Sequence, residues 1–208
     1  MRPNQLLLTN LPPVLDGLGR TEPLELEERC RDYLVSLRWP EGVACPRCDE
    51  SRRLLWLESR SKWHCYACRY QFSVTAQTLF HNSHLPLSKW FLSVHLFVEA
   101  PEGVPANQLK QVLDCSYKTA WFAAHRIRLA MRRREEPYRP HEAVAQRSYA
   151  RRRFPGPYQH LSVKYLSAYL DERQWRSANR GNAHVFRDTI VALLRGEGVS
   201  YDQLVAAH

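Results

Sequence analysis

The chain has 208 residues and a hydrophobic content of 44%, enough for one medium-sized domain or two to three small ones. Its net charge of +9 indicates a polyanionic partner, most often nucleic acid, with a merely solvated basic surface as the alternative. Residues 104–153 contain twelve Lys and Arg but four Asp and Glu, so +8 of the net charge lies in that stretch. This clustering favours the nucleic-acid interpretation.

Membrane insertion and secretion are the classes that the sequence argues against. No run of about 18 apolar residues is present, so we expect no membrane-spanning helix and no membrane partner. The apolar run Leu6–Leu8 is too short for the core of a signal peptide. Six cysteines, four of them in metal-ligand spacing, are typical of a reducing compartment, and we therefore predict a cytoplasmic protein.

The first 42 residues predict a single helix. Residues 1–22 are interrupted by proline and glycine, and we expect them to form a loose segment. Residues 23–42 predict an N-terminal helix, because apolar side chains such as Leu26, Cys30 and Leu34 recur at helical spacing.

Residues 43–80 carry two pairs of cysteines with the spacing of a zinc ribbon. Each CxxC turn offers two thiolates, and a tetrahedral structural zinc ion takes four ligands. We predict one structural zinc ion, with a redox pair, disulfides or buried thiols as the alternatives. The predicted ligands are Cys45, Cys48, Cys65 and Cys68. We predict that the adjacent His64 is not a ligand, since four thiolates already complete the coordination.

Residues 81–133 predict a helical domain that ends in a helix-turn-helix. A short helix over about 106–113, the turn Asp114–Ser116 and a longer helix from Tyr117 to about Arg133 give this arrangement. An ordinary helical hairpin is the alternative, and the local excess of arginine favours the helix-turn-helix.

Side chains of the longer helix that lie off its apolar stripe are candidate DNA contacts. Lys118 and Thr119 suit base edges, while Arg126, Arg128 and Arg133 suit the phosphate backbone. The full predicted set is Lys118, Thr119, Phe122, His125, Arg126, Arg128 and Arg133 on this helix and Arg53, Arg60 and Lys62 in the ribbon. The ribbon residues are included because basic and aromatic side chains together can grip nucleic acid. A protein-docking or purely structural ribbon is the alternative.

Two further segments complete the predicted organisation. Residues 134–158 are rich in Arg and Pro and predict a linker, and residues 159–208 predict a pair of C-terminal helices. The predicted fold class is therefore mainly α with a small β zinc ribbon. We expect the C-terminal helices to be loosely docked, to pack on the helix-turn-helix or to self-associate, with Tyr165, Tyr169 and Trp175 exposed.

The order of several motifs along the chain points to a family. In the front part they are Cys45–Cys48, Trp63–Cys68, Gln71–Thr75, Leu79–Phe80, Leu85–Leu87 and Lys89–Phe91. The later motifs are Ser116–Trp121, His125–Arg128, Gly156–Tyr158, Ser162–Leu166 and Tyr169–Glu172. Together they make residues 24–195 resemble the DDE-type transposases of bacterial insertion sequences that carry an N-terminal zinc ribbon and a helix-turn-helix.

The resemblance implies DNA binding at transposon ends, a role in transposition and DNA recombination, and association with the bacterial nucleoid. This sequence departs from the family pattern in one respect. Such transposases carry a ribonuclease-H-like core, with Asp, Asp and Glu holding two metal ions, before the closing helices. Here residues 134–157 alone occupy that position.

The acidic residues after Arg134 do not follow an alternating strand pattern, which a rigid two-metal site on a sheet requires. We expect Asp171, Glu172 and Asp188 to be solvated on polar helix faces. The sequence therefore predicts no catalytic residue and no catalytic magnesium.

The function predicted from the sequence is that of a DNA-binding, truncated or internally deleted insertion-sequence transposase without catalytic activity. An accessory or regulatory subunit of an active DDE transposase, or a non-functional decay product, is the alternative. The predicted partners are double-stranded DNA and either further copies of the chain, as a homo-oligomer, or a full-length transposase.

Overall fold

The computed structural model describes residues 11–100, 103–132 and 163–206. The helices in these ranges are α1 (Pro23–Arg38), α2 (Leu87–Glu99), α3 (Ala106–Leu113), α4 (Tyr117–Met131), α5 (Leu166–Ala178), α6 (Val185–Arg195) and α7 (Tyr201–Ala206). The strands are β1 (Leu54–Leu57), β2 (Lys62–Cys65) and β3 (Gln71–Phe72). The predicted class, mainly α with a small β zinc ribbon, is confirmed. The predicted linker over 134–158 lies outside the described residues.

The N-terminal segment is more ordered than the sequence suggested. A 3-10 turn over Pro13–Leu15 packs against α1 and α2, and Leu15 is fully buried. The expectation of a loose segment over 1–22 is therefore wrong for this turn, because its apolar side chains fill the core. Residues 1–10 lie outside the described ranges.

Helix α2 is the centre of the helical core. Eight consecutive residues, from Trp90 to Phe97, are buried, which is typical of a helix surrounded by other elements on every side. Helices α1, α3, α4 and α6 all pack against it. In the ranges that the structure describes, no helix is long and apolar enough to span a lipid bilayer.

The start of α2 is capped by a side chain from α1. The carboxylate of Glu27 accepts hydrogen bonds from the backbone amides of Leu87 (2.7 Å) and Ser88 (3.1 Å). These amides have no intrahelical partner at a helix start, and a negative charge there also interacts favourably with the positive end of the helix dipole. Pro86 precedes the helix and supplies no side-chain cap of its own. The contact fixes α1 against α2.

The sheet is a meander of three antiparallel strands in the order β1-β2-β3. Trp56 on β1 pairs with Trp63 on β2, and Trp63 pairs with Phe72 on β3. Trp39, which follows α1, places its ring edge-on against Trp63 at 5.5 Å. These aromatic contacts dock the ribbon onto the helical core. Trp56 and Trp63 are half-buried.

The C-terminal helices are integrated into the core. Helix α5 packs on α4, and α6 packs on α1, α2 and α4. Of the three expected arrangements, packing on the predicted helix-turn-helix is therefore the observed one, with α4 as the contacted helix. The expectation of an exposed Tyr169 is wrong, since it is 9% exposed, while Tyr165 and Trp175 are half-buried. Their rings pack against helices that precede them in the chain.

Replacing Glu27 by alanine removes the cap of α2, and we expect the free energy of unfolding to fall by about 1–2 kcal/mol. Urea denaturation followed by circular dichroism measures this loss. The matched control is Glu28→Ala, which removes an exposed carboxylate 3.6 Å from Arg31. An exposed ion pair of this kind contributes less than about 1 kcal/mol. Equal losses in the two variants would show that the cap is unimportant.

Candidate metal centre and nucleic-acid interface

The two CxxC turns have the same backbone geometry. The amide of Cys45 donates to the carbonyl of Glu50, and the amide of Cys65 donates to that of Tyr70, both at 2.9 Å. Each turn also places the residue after its second cysteine in the left-handed region, with φ of 56° at Asp49 and 59° at Arg69. This conformation curls the chain so that both thiols of a turn face the same point.

The four thiols converge on a site that fits zinc. Their Sγ atoms all lie within 4.8 Å of one another. The distance is 3.6 Å from Cys45 to Cys68 and 3.7 Å from Cys48 to Cys65. Zinc–sulfur bonds of about 2.3 Å in a tetrahedron give sulfur separations of about 3.8 Å. The chain therefore carries one structural zinc site, made by the four predicted cysteines.

Beneath the metal site lies a small apolar core. Cys45, Cys65, Phe72 and Ala76 are its buried members. So few side chains cannot stabilise a sheet alone, and metal binding supplies much of the folding free energy of such a domain.

The predicted cations of the ribbon all lie at its surface. Arg53 pairs with Glu50 at 3.1 Å, and the side chain of Arg53 is 67% exposed. Arg60 donates to the side-chain oxygen of Gln71 at 3.2 Å, and Lys62 is exposed. Because the Glu50 carboxylate neutralises its charge, Arg53 is the weakest of the three candidates for a phosphate contact.

Helices α3 and α4 are joined by a three-residue turn, as the sequence predicted. Asp114 closes α3 in the left-handed region (φ 46°), and the hydroxyl of Ser116 accepts from the amide of Thr119 at 3.1 Å to cap α4. From α2, the ammonium of Lys89 donates to the carbonyl of Leu113 and supports the turn.

Three of the predicted DNA contacts reach the surface at the start of α4. Lys118 is exposed, while Thr119 and Phe122 are partly exposed. Tyr117, which the sequence analysis did not select, is 50% exposed beside them. We call the segment from Ser116 to Phe122 the exposed turn of α4.

From Ala123 to Arg128, α4 is buried, and the expectation that His125, Arg126 and Arg128 face outward is wrong. Their exposed fractions are 1%, 2% and 1%. His125 lies among aromatic rings, with centroid distances of 4.0 Å to Trp121 and 5.1 Å to Tyr165. Arg133 lies outside the described residues.

Arg126 connects two backbone segments instead of reaching solvent. Its guanidinium donates to the carbonyls of His81 and Val199, each at 2.7 Å, and stacks 4.0 Å from the ring of Phe122. Burial lowers the pKa of this guanidinium to about 10, which still leaves it charged at neutral pH.

Arg128 forms a buried ion pair with Glu172 of α5 at 2.7 Å. Arg176, one turn later on α5, binds the other oxygen of that carboxylate at 2.6 Å. The two arginines also donate to the carbonyls of Val104 and Ala100. The expectation of a solvated Glu172 is therefore wrong. The helical periodicity indicated that Arg128 faces the core, because Arg128 follows the buried Ala120 and Ala124 at intervals of four.

The other acidic residues of the C-terminal helices do not converge. A hydrogen bond from Asn182, with help from Arg187, lowers the pKa of Asp188. Burial raises the pKa of Asp171, against the opposing charge of Arg132. In the described ranges the four cysteines are the one group of three or more His, Cys, Asp or Glu side chains close enough to hold a metal ion.

Comparison with known proteins identifies the ribbon. A family model described as the transposase zinc-ribbon domain matches residues 25–71. An uncharacterized protein in transposable element ISH50 of Halobacterium salinarum is 31% identical over 117 residues. The match covers 55% of this chain, and the chain spans 38% of the length of that relative. No solved structure matches the chain. The resemblance to insertion-sequence transposases with an N-terminal zinc ribbon is confirmed.

Replacing Cys48 by serine removes one zinc ligand from an exposed position. We expect the variant to lose the single zinc ion and the fixed packing of Trp63 against Trp39. Inductively coupled plasma mass spectrometry and near-ultraviolet circular dichroism measure these two changes. Cys115→Ser, outside the site, is the control and should keep the metal. A Cys48→Ser protein with full zinc content would contradict the assignment.

Replacing Glu172 by glutamine leaves Arg128 buried without its counter-ion, so we expect the free energy of unfolding to fall by about 3–5 kcal/mol. Urea denaturation is the measurement. The control is Glu25→Gln, whose exposed pair with Arg29 on α1 has a similar separation of 3.1 Å. That substitution should cost less than about 1 kcal/mol. A loss of that small size for Glu172→Gln would mean that the ion pair does not hold α5 on α4.

Proposed function

We propose that this chain, whose residues 25–71 form a transposase zinc-ribbon domain, binds double-stranded DNA through the exposed turn of α4. The observation that carries the proposal is the presentation of Lys118, Thr119 and Phe122 at the start of a capped helix after a tight turn. The first turn of the second helix is the part of a helix-turn-helix that meets base edges. The net charge of +9 supports a polyanionic partner.

The exposed side chains suggest distinct roles in this complex. Lys118 and Thr119 have the donors and acceptors to read base edges in the major groove. Arg60 and Lys62 of the ribbon, and the exposed Lys110 of α3, suit phosphate oxygens and would orient the chain on the duplex. Buried Arg126 and Arg128 are left out of this set, because each already binds protein oxygens.

We further propose that the duplex is the end of an insertion-sequence element and that the chain binds it without cutting it. The relative in transposable element ISH50 supports the first part. The second part is supported by the acidic residues of α5 and α6, where Glu172 is bound by two arginines and Asp188 by Asn182 and Arg187. Two-metal strand cleavage requires free carboxylates that converge on ions about 4 Å apart.

Selection of bound sequences from random duplex DNA, with Mg²⁺ present, tests both parts. We expect enrichment of a short motif and no nicked strands. Lys118→Ala should relax preference at one base position by about tenfold, which corresponds to about 1.4 kcal/mol of lost discrimination. Arg60→Ala should weaken binding to every sequence alike and reduce the log–log salt slope by about 0.9.

Arg20→Ala is the charge-matched control, since Arg20 is exposed and lies far along the chain from the proposed contacts. It should leave the selected motif unchanged. Absence of duplex binding by the zinc-loaded protein would refute the DNA-binding proposal. Mg²⁺-dependent nicking that survives purification would refute the proposal that the chain does not cut.

A further inference from the structure

Helix α7 lies against the exposed turn of α4. The ring of Tyr201 is 5.6 Å from the ring of Trp121 and 6.2 Å from that of Phe122, measured between centroids. The ammonium of Lys118 lies 4.8 Å from the centroid of the same tyrosine ring, a cation–π distance. Two of the three proposed DNA contacts on α4 are therefore already in contact with α7.

The segment that precedes α7 packs closely against the rest of the protein. Gly196 passes so close to Leu79 that a Cβ atom there would lie 2.5 Å from the Leu79 side chain. A Cβ on Gly198 would lie 3.1 Å from a backbone oxygen. The carbonyl of Val199 then accepts the hydrogen bond from buried Arg126. These contacts position α7 against the start of α4.

Helix α7 is capped at its N-terminus but is short. The hydroxyl of Ser200 accepts from the amide of Gln203 at 3.1 Å, and the side-chain oxygen of Gln203 accepts from the amide of Ser200 at 2.7 Å. This reciprocal pair is a capping box. Leu204 anchors the helix, since it is 2% exposed. A helix of six residues is unstable in isolation, so α7 depends on these docking contacts.

We propose that α7 is an autoinhibitory cap on the exposed turn of α4 and that duplex DNA displaces it. The proposal rests on the proposed DNA-binding function of that turn. The major groove is about 12 Å wide and admits an α-helix, so α4 cannot insert its first turn while Tyr201 of α7 lies against Lys118 and Phe122. The apparent association constant for DNA is then that of the uncapped form multiplied by the fraction of molecules in which the cap is undocked.

Equilibrium binding of a fluorescent duplex to the full chain tests the cap. Tyr201→Ala removes the ring that lies against Lys118, and we expect it to bind roughly tenfold more tightly than the parent. Leu204→Ala, which removes the anchor of α7, should tighten binding in the same direction. Tyr201→Phe keeps the ring and is the matched control, expected to bind like the parent. Unchanged or weaker binding by Tyr201→Ala would overturn the cap.

Hydrogen exchange of the parent protein gives a second readout. Adding duplex should speed amide exchange in Tyr201–Ala206, because the cap leaves α4. Slower exchange there would instead mean that α7 is part of the DNA-binding surface, which overturns the inference. If neither the parent nor Tyr201→Ala binds duplex, the proposed function fails together with the cap. Binding by the parent without tightening in Tyr201→Ala refutes the cap alone.

Discussion

The arrangement of the helices depends on the ion pairs of one buried carboxylate, that of Glu172. This carboxylate accepts from Arg128 on α4 and from Arg176 on its own helix, and the two arginines also donate to the carbonyls of Val104 and Ala100. A buried charge without a partner is costly, so a shift of α5 along α4 would be strongly unfavourable. The C-terminal helices therefore cover the second half of α4.

This constraint decides which part of α4 reaches the surface. The turn from Ser116 to Phe122 reaches the surface, while the following residues belong to the core. The zinc ribbon is organised by a different interaction, because its four buried residues depend on the metal. Trp39 and Trp63 join the two parts. The chain thus combines a metal-stabilised ribbon and an ion-paired helical core, with α7 lying over the exposed turn.

The sequence could predict what depends on local spacing. The CxxC pairs identified the zinc ligands, and the 3.6-residue periodicity placed α3 and α4 together with the turn between them. It could not predict which groups Arg126 and Arg128 bind inside the protein, because arginine is normally exposed and the partners are distant in the chain. His81, Val199 and Glu172 lie 45, 73 and 44 positions away from the arginines that they bind. Nothing local to α4 indicates these acceptors.

Hydroxyl-radical footprinting of the native protein, read by mass spectrometry, tests most directly whether α4 is divided in this way. Tyr117, 50% exposed at its start, should be oxidised rapidly, while Met131, 2% exposed at its end, should be protected despite the high reactivity of methionine. With bound duplex, Tyr117 should become protected and Met131 should stay unchanged. Rapid oxidation of Met131 in the folded protein, at the rate of the urea-unfolded chain, would contradict the account.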